Sequence, residues 1–192
     1  MLLSRKDLWS LEQYAEEREN FRKLIIDHKK NRQVFLGTHA TLYFEDALTM
    51  KYQVQEMLRI EKIFTAKEIE EELEAYNPLI PDGSNWKATF MIEYPDAEER
   101  RVALAKLAGI EHNVWVSAGG SPRVYGSANE DLERSNDEKT AAVHFMRFEF
   151  DQETVNALKA GVAIRMGIDH PALPYDILID ESVRQCLIED LN

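Results

Sequence analysis

Thr49, Gln53 and Glu56 are spaced i, i+4 and i+7 within the segment TMKYQVQEMLRIEKIF. At 100° per residue they fall inside an arc otherwise built from Met50, Val54, Met57, Ile60, Ile63 and Phe64. Lys51, Gln55, Arg59 and Lys62 share a different arc, which has the composition of a solvent face. A carboxylate on the apolar side must be protonated, solvated in a pocket or paired, because an unpartnered buried charge is strongly unfavourable. Arg18 is the expected partner, since it lies near the middle of the stripe formed by Leu11, Tyr14 and Ile25 on the preceding helix. Two readings follow. Arg18 and Glu56 form a buried brace whose hydrogen bonds Gln53 and Thr49 complete, or these four residues line a pocket that binds a small polar ligand.

Other chemistry-bearing residues are thinly spread. His28, His39, His112, His144 and His170 form no HxxxH, HExxH or ExxH arrangement, so no helix-borne zinc or di-iron site is indicated. His144 shares a strand face with Met146, Phe148 and Phe150, and His170 follows a strand in the triplet DHP. If those strands lie side by side, His144, Asp169 and His170 are weak candidates for a metal site; the commoner role of a histidine among aromatics is a hydrogen-bonded core residue. Cys186 neighbours the stripe Val183, Leu187, Leu191 and is expected to be a buried, inert thiol. The stretch GGSPRVYGS has neither a Walker lysine nor Rossmann spacing, and no GxSxG elbow occurs. No motif names a reaction or a cofactor.

The elements that must position these residues change character midway. Ser10 opens a capping box, and helical spacing runs from there to about Asn31. Two short β-rich runs, Arg32 to Leu36 and Ala40 to Phe44, flank Gly37-Thr38-His39 as a hairpin. A second helix covers about Asp46 to Phe64, and Thr65 caps a short acidic third one carrying Ile69, Leu73 and Tyr76 on one face. The prolines and Asp-Gly between Asn77 and Asn85 mark a loop that divides the chain into a helical half, 1–85, and a second half, 86–192, expected to pack as one unit.

In the second half, FMIEYPDAEERRVALAKLAG with VWVSAG resembles FMRFEFDQETVNALKAG with VAIRMG; each is strand, acidic cap, helix, glycine, strand. The expected class is α+β: N-terminal helices and a β-hairpin packed on a C-terminal sheet of two β-α-β units, an arrangement that admits a ferredoxin-like topology. Ser127 to Thr140 is polar and lacks apolar periodicity, which predicts a mobile loop. A helix from Asp180 to Leu191 ends the chain.

Composition narrows the function classes. With 192 residues, 44% of them hydrophobic, the chain can bury a substantial core. Its formal net charge of -12 disfavours non-specific attraction to nucleic acid or to an anionic membrane. The basic run from Arg22-Lys23 through Lys29-Lys30 to Arg32 is expected to be a solvated helix face. A single cysteine excludes an intramolecular disulfide, a CxxC redox pair and a cysteine cage for zinc or iron–sulfur clusters. The opening MLLSRKDLWSLEQ carries charge by its fifth residue and no apolar stretch of signal or membrane length, which points to the cytoplasm.

The segments HKKNRQVFLG, LYFEDALTMKYQVQEMLRIEKI, YNPLIP, AVHFMRFEF and DHP together resemble the bacterial family called domain of unknown function 3501. The QxQEMxRxE run is the most specific of them, placing Gln53, Gln55, Glu56, Met57, Arg59 and Glu61 on the family pattern, with His144 and His170 in the later motifs. The resemblance carries no assigned activity. It implies an accessory protein that meets a redox or iron–sulfur partner in oxidative-stress defence; the alternative is a small-ligand-binding or metal-dependent enzyme with its site around Glu56.

Overall fold

The computed structural model describes residues 2–130, 135 and 139–192. Helix α1 (Leu11–Lys29) begins where Ser10 Oγ accepts the Gln13 N–H and the Gln13 side chain returns to the Ser10 N–H. Strands β1 (Gln33–Phe35) and β2 (Ala40–Phe44) form the expected hairpin, turned at Gly37 with φ 87. Helix α2 (Ala47–Glu61) is capped by Asp46 and stops at Lys62, which adopts the left-handed conformation. Helix α3 (Ala66–Tyr76) is capped by Thr65 and leads through a short helical turn into β3 (Asn85–Ile92).

The remaining elements are α4 (Ala97–Lys106), β4 (Val114–Ala118), β5 (Val124–Tyr125), β6 (Ser127–Ala128), β7 (Val143–Glu149), α5 (Gln152–Lys159), β8 (Ile164–Ile168), β9 (Tyr175–Leu178) and α6 (Glu181–Ile188). They complete two antiparallel sheets, ordered β1-β2-β3-β7-β6 and β5-β4-β8-β9. The class is α+β, as the sequence predicts.

The strand arrangement differs from a single ferredoxin-like sheet. The two similar units are β3-α4-β4 and β7-α5-β8, and each starts in the first sheet and ends in the second. Their first strands pair antiparallel, Phe90 opposite His144, and so do their second strands, Val116 opposite Met166. The reason lies in the side chains. Trp86, Phe90, Met146 and Phe148 on the first sheet share one core with Val114, Val116, Ile164 and Met166 on the second, so each sheet buries its apolar face with the other. Helix α6 adds Val183 and Leu187 to that core, and the Trp86 indole N–H donates to the Leu187 carbonyl at 2.8 Å. The hairpin belongs to the same layer, because β2 pairs with β3 from Ala40–Ile92 to Phe44–Ala88.

Part of the predicted mobile loop is ordered structure. Ser127 and Ala128 pair with Arg147 and Met146, and Thr140 is buried. Residues 131–134 and 136–138 of that stretch lie outside the described residues.

The two faces of the first sheet have different fates. Trp86, Ala88, Phe90 and Ile92 of β3 point into the core, whereas Lys87, Thr89 and Met91 point the other way and are only half-buried. That outer face looks toward α2 and α3. The helices have small cores of their own, Tyr14, Phe21 and Ile25 in one and Val54, Leu58 and Leu73 in the other.

Candidate functional site

Glu56 meets Arg18 through two bonds: Arg18 Nε donates to Oε1 at 2.7 Å and Nη2 to Oε2 at 2.9 Å. The Tyr14 hydroxyl donates to Oε1 at 2.6 Å and Arg59 Nη2 to Oε2 at 3.1 Å. Arg18's hydrogen bonds hold the carboxyl at about 2 against burial, with Tyr14 and Arg59 helping. Burial, and then the bond to Glu56, raise the Tyr14 hydroxyl. The Glu56 side chain is 16% exposed and Arg18 34%, so this cluster is a partly solvated clamp joining α1 to α2. Every oxygen of Glu56 already has two donors, which leaves little acceptor capacity for a ligand.

Thr49 and Gln53 stand apart from the clamp. Thr49 is fully buried; its backbone N–H is capped by Asp46, and its hydroxyl donates to Glu45 Oε2 at 2.7 Å. Glu45 takes a second bond from the Thr89 hydroxyl, tying α2 to the outer face of β3. Gln53 is half-buried and makes no side-chain hydrogen bond among the described residues. The helical phase also differs for two apolar residues and one amide. Ile60 and Phe64 are exposed at the end of α2, while Gln55 is fully buried and its carboxamide accepts the Trp9 N–H at 2.7 Å. The cause is the Leu8–Ser10 stretch, which folds back over α2 and supplies a backbone partner that helical periodicity cannot show.

Arg32 is a further correction, because it is not part of a solvated helix face but 2% exposed. It lies beyond the end of α1, and its guanidinium donates to the Phe44 and Glu45 carbonyls at 3.1 and 3.0 Å and to Asp190. Asp46 stands 3.4 Å away and is bonded to His28 at 2.6 Å. Cys186 contacts the same guanidinium at 3.5 Å, and burial pushes its thiol up. Arg32 thereby pins the hairpin and α2 to the chain's last helix.

The weak metal candidates take separate partners. His144 is fully buried, with Nδ1 2.9 Å from the Asn129 amide and Nε2 2.8 Å from the Thr140 hydroxyl, which donates to the buried Glu111. Asp169 accepts from Trp115 Nε1 at 3.0 Å and from Arg123 at 2.6 Å, and His170 Nε2 lies 3.3 Å from the Ala108 carbonyl. Among the described residues no group of three His, Cys, Asp or Glu side chains is placed to hold a metal ion.

A cleft of about 760 Å³ opens between the helices and the outer face of the first sheet. Met57 of α2, with Glu72 and Tyr76 of α3, form one wall; Lys87 of β3, with Phe145 and Arg147 of β7, form the other. Lys87 and Arg147 are direct cross-strand partners. Arg147 is committed, since it holds Glu130 at 2.6 and 2.9 Å and also binds Glu149. Lys87 is not: among the described residues it has no ion pair and no side-chain hydrogen bond. Burial, and then the Arg147 charge beside it, push the Lys87 ammonium below its ordinary range. The alternation Trp86, Ala88, Phe90, Ile92 marks the inner face of β3 and leaves Lys87 on the outer one. That signal was available in the sequence, but the wall opposite it was not.

The family model described as "Protein of unknown function (DUF3501)" matches residues 2–191. This chain belongs to the DUF3501 family. A crystal structure of a novel protein of unknown function from Burkholderia pseudomallei K96243 is 48% identical, with TM-score 0.95 and 100% of each chain covered. No curated protein matches. The DUF3501 assignment thus fixes the family and the fold and leaves the chemistry to the side chains. No helix among the described residues is long and apolar enough to cross a membrane.

Proposed function

We propose that this DUF3501 protein binds a small molecule in the cleft between α2–α3 and the first sheet, and does so in the cytoplasm. The ligand carries a carboxylate that bonds to Lys87 Nζ and an apolar body that lies against Met57, Tyr76 and Phe145. The carrying observation is Lys87, a half-buried cation that among the described residues makes no direct ion pair, Glu130, Asp82 and Glu149 acting on it only from a distance, set in a cleft whose 760 Å³ suits a small ligand. Holding an ammonium there without a partner costs desolvation energy, and an arriving carboxylate recovers it through a charge-assisted bond. The clamp that the helix pattern first suggests is not part of this cleft, since neither Arg18 nor Glu56 lines it. Glu56 braces α2, which gives Met57 to one wall of the cleft, against α1.

Titration calorimetry with hexanoate is the direct test. Hexanoate supplies a carboxylate and an apolar chain and nothing else. Saturable 1:1 heat with the wild-type chain, lost in Lys87→Met, supports the reading; no heat, or heat unchanged in Lys87→Met, overturns it. The redox or iron–sulfur partner implied by the family resemblance is a separate proposal that rests on that resemblance, and no side-chain geometry here favours it over the cleft.

A further inference from the structure

We infer that the cleft takes an amphoteric ligand, one with a protonated amine at the end opposite its carboxylate, and that Glu72 binds the amine. This rests on the reading of Lys87 given above and adds the chemistry of the second end. Glu72 comes from α3 and Lys87 from β3, so the two stand on opposite walls of one cleft. Both are half-buried. They form no ion pair with each other, and among the described residues Glu72, like Lys87, makes no hydrogen bond or ion pair. The neighbouring acids behave differently: Glu71 pairs with Lys67 on the outside of α3, and Glu130 is bound to Arg147.

A cleft with a cation on one wall and a carboxylate on the other, neither in a direct ion pair among the described residues, is complementary to a molecule of the reverse polarity. A purely anionic ligand would satisfy Lys87 and bring negative charge toward Glu72, whereas an ammonium at the far end gives Glu72 its missing donor. Burial, and then the charge of Glu61, raise the Glu72 carboxyl, as expected of an acid still waiting for a cation. Met57 and Tyr76 line the same cleft and offer apolar surface to a methylene chain or ring. Glu74, exposed at the rim, adds negative potential on the same wall. The ligand class is therefore a zwitterion with separated charges, of the ω-amino acid kind, and neither a fatty acid nor an amine alone.

The full-length chain is titrated with 4-aminobutanoate, 6-aminohexanoate and 8-aminooctanoate, with hexanoate and hexylamine as single-ended controls. One of the three amino acids is expected to bind at least about tenfold more tightly than hexanoate, the scale of one additional charge-assisted bond. Glu72→Gln, which keeps the side-chain volume, is expected to abolish that advantage while hexanoate, relieved of the Glu72 charge, binds at least as tightly as to the wild type, so hexanoate also reports that the variant is folded. Hexanoate binding that depends on Lys87, with no amino acid tighter than hexanoate, overturns this inference and leaves the proposed function standing. Absence of binding by every probe overturns both. Loss of hexanoate in a folded Glu72→Gln chain removes Glu72 from the amine end and overturns the inference as well.

Discussion

Replacing Glu56 by Gln removes the charge of the clamp and keeps its shape. In the wild type the carboxylate takes bonds from Arg18, Tyr14 and Arg59. Its fall from 4.5 to about 2 corresponds to an upper bound of about 3 kcal/mol of linked stability. With 16% of the Glu56 side chain exposed and Arg18 more open still, solvent screening reduces the expected loss to about 1–2 kcal/mol. The sign with pH follows from a depressed carboxyl: the stabilisation is complete above the unfolded value and disappears as pH falls through the folded one. Urea melts of wild type and Glu56→Gln should thus differ at pH 7 and converge between about pH 4.5 and 2, with more than half of the difference gone by about pH 3. Hexanoate binding near neutral pH should persist in Glu56→Gln. A difference that is the same at pH 7 and pH 3, or absent at pH 7, would show that the clamp does not carry the stability assigned to it.

Arg32→Met should be more severe, costing about 3–5 kcal/mol in chemical denaturation, because Asp46 and Asp190 are left without the guanidinium between them. Melting indistinguishable from wild type would refute the role given to Arg32. Gly167→Ala should lower stability by about 1–3 kcal/mol, since a Cβ there would stand 2.2 Å from the Tyr175 carbonyl oxygen and 2.5 Å from the Trp115 ring; a thermal melt decides it. Lys87→Met should not destabilise the fold, because it removes a desolvated, unpaired cation. As the Lys87 ammonium is lowered on folding, its penalty is present at neutral pH and relieved as pH rises through its folded value, so any melting advantage of Lys87→Met should shrink in alkali.

The sequence shows its elements clearly where local chemistry sets them. Ser10, Asp46, Thr65, Asp96 and Asp151 each cap the helix that their position announces, and the alternation from Trp86 to Ile92 marks the buried face of β3. The division of β3 and β4 between two sheets is not visible, because a β-α-β pattern has the same spacing whether its second strand returns to the first sheet or crosses to another. The short strands β6 and β9 are missed for a related reason: Ser127–Ala128 has too little apolar content to show a period, and its pairing comes from β7 across the fold.

At the level of side chains, helical phase brings Arg18 and Glu56 to facing surfaces, and the structure joins them. It misplaces Gln55 and Thr49, whose partners are the Trp9 backbone and Glu45. Arg32 shows the same limit, since a basic residue just past a helix end carries no periodic signal of burial. The cleft is the least legible feature. Its walls come from α2, α3, β3 and β7, and an unpaired Lys87 is recognisable only once the anions that might have reached it are seen bound elsewhere.

The most direct measurement of cleft function compares melting and hexanoate titration for Lys87→Met on one preparation. The expected result is a melting temperature equal to or above that of wild type together with loss of binding, the signature of a residue kept for its ligand at some cost to the fold. A Lys87→Met chain that binds hexanoate as the wild type does, or whose melting temperature falls by several degrees, would show that Lys87 serves the fold and that the cleft is not the binding site.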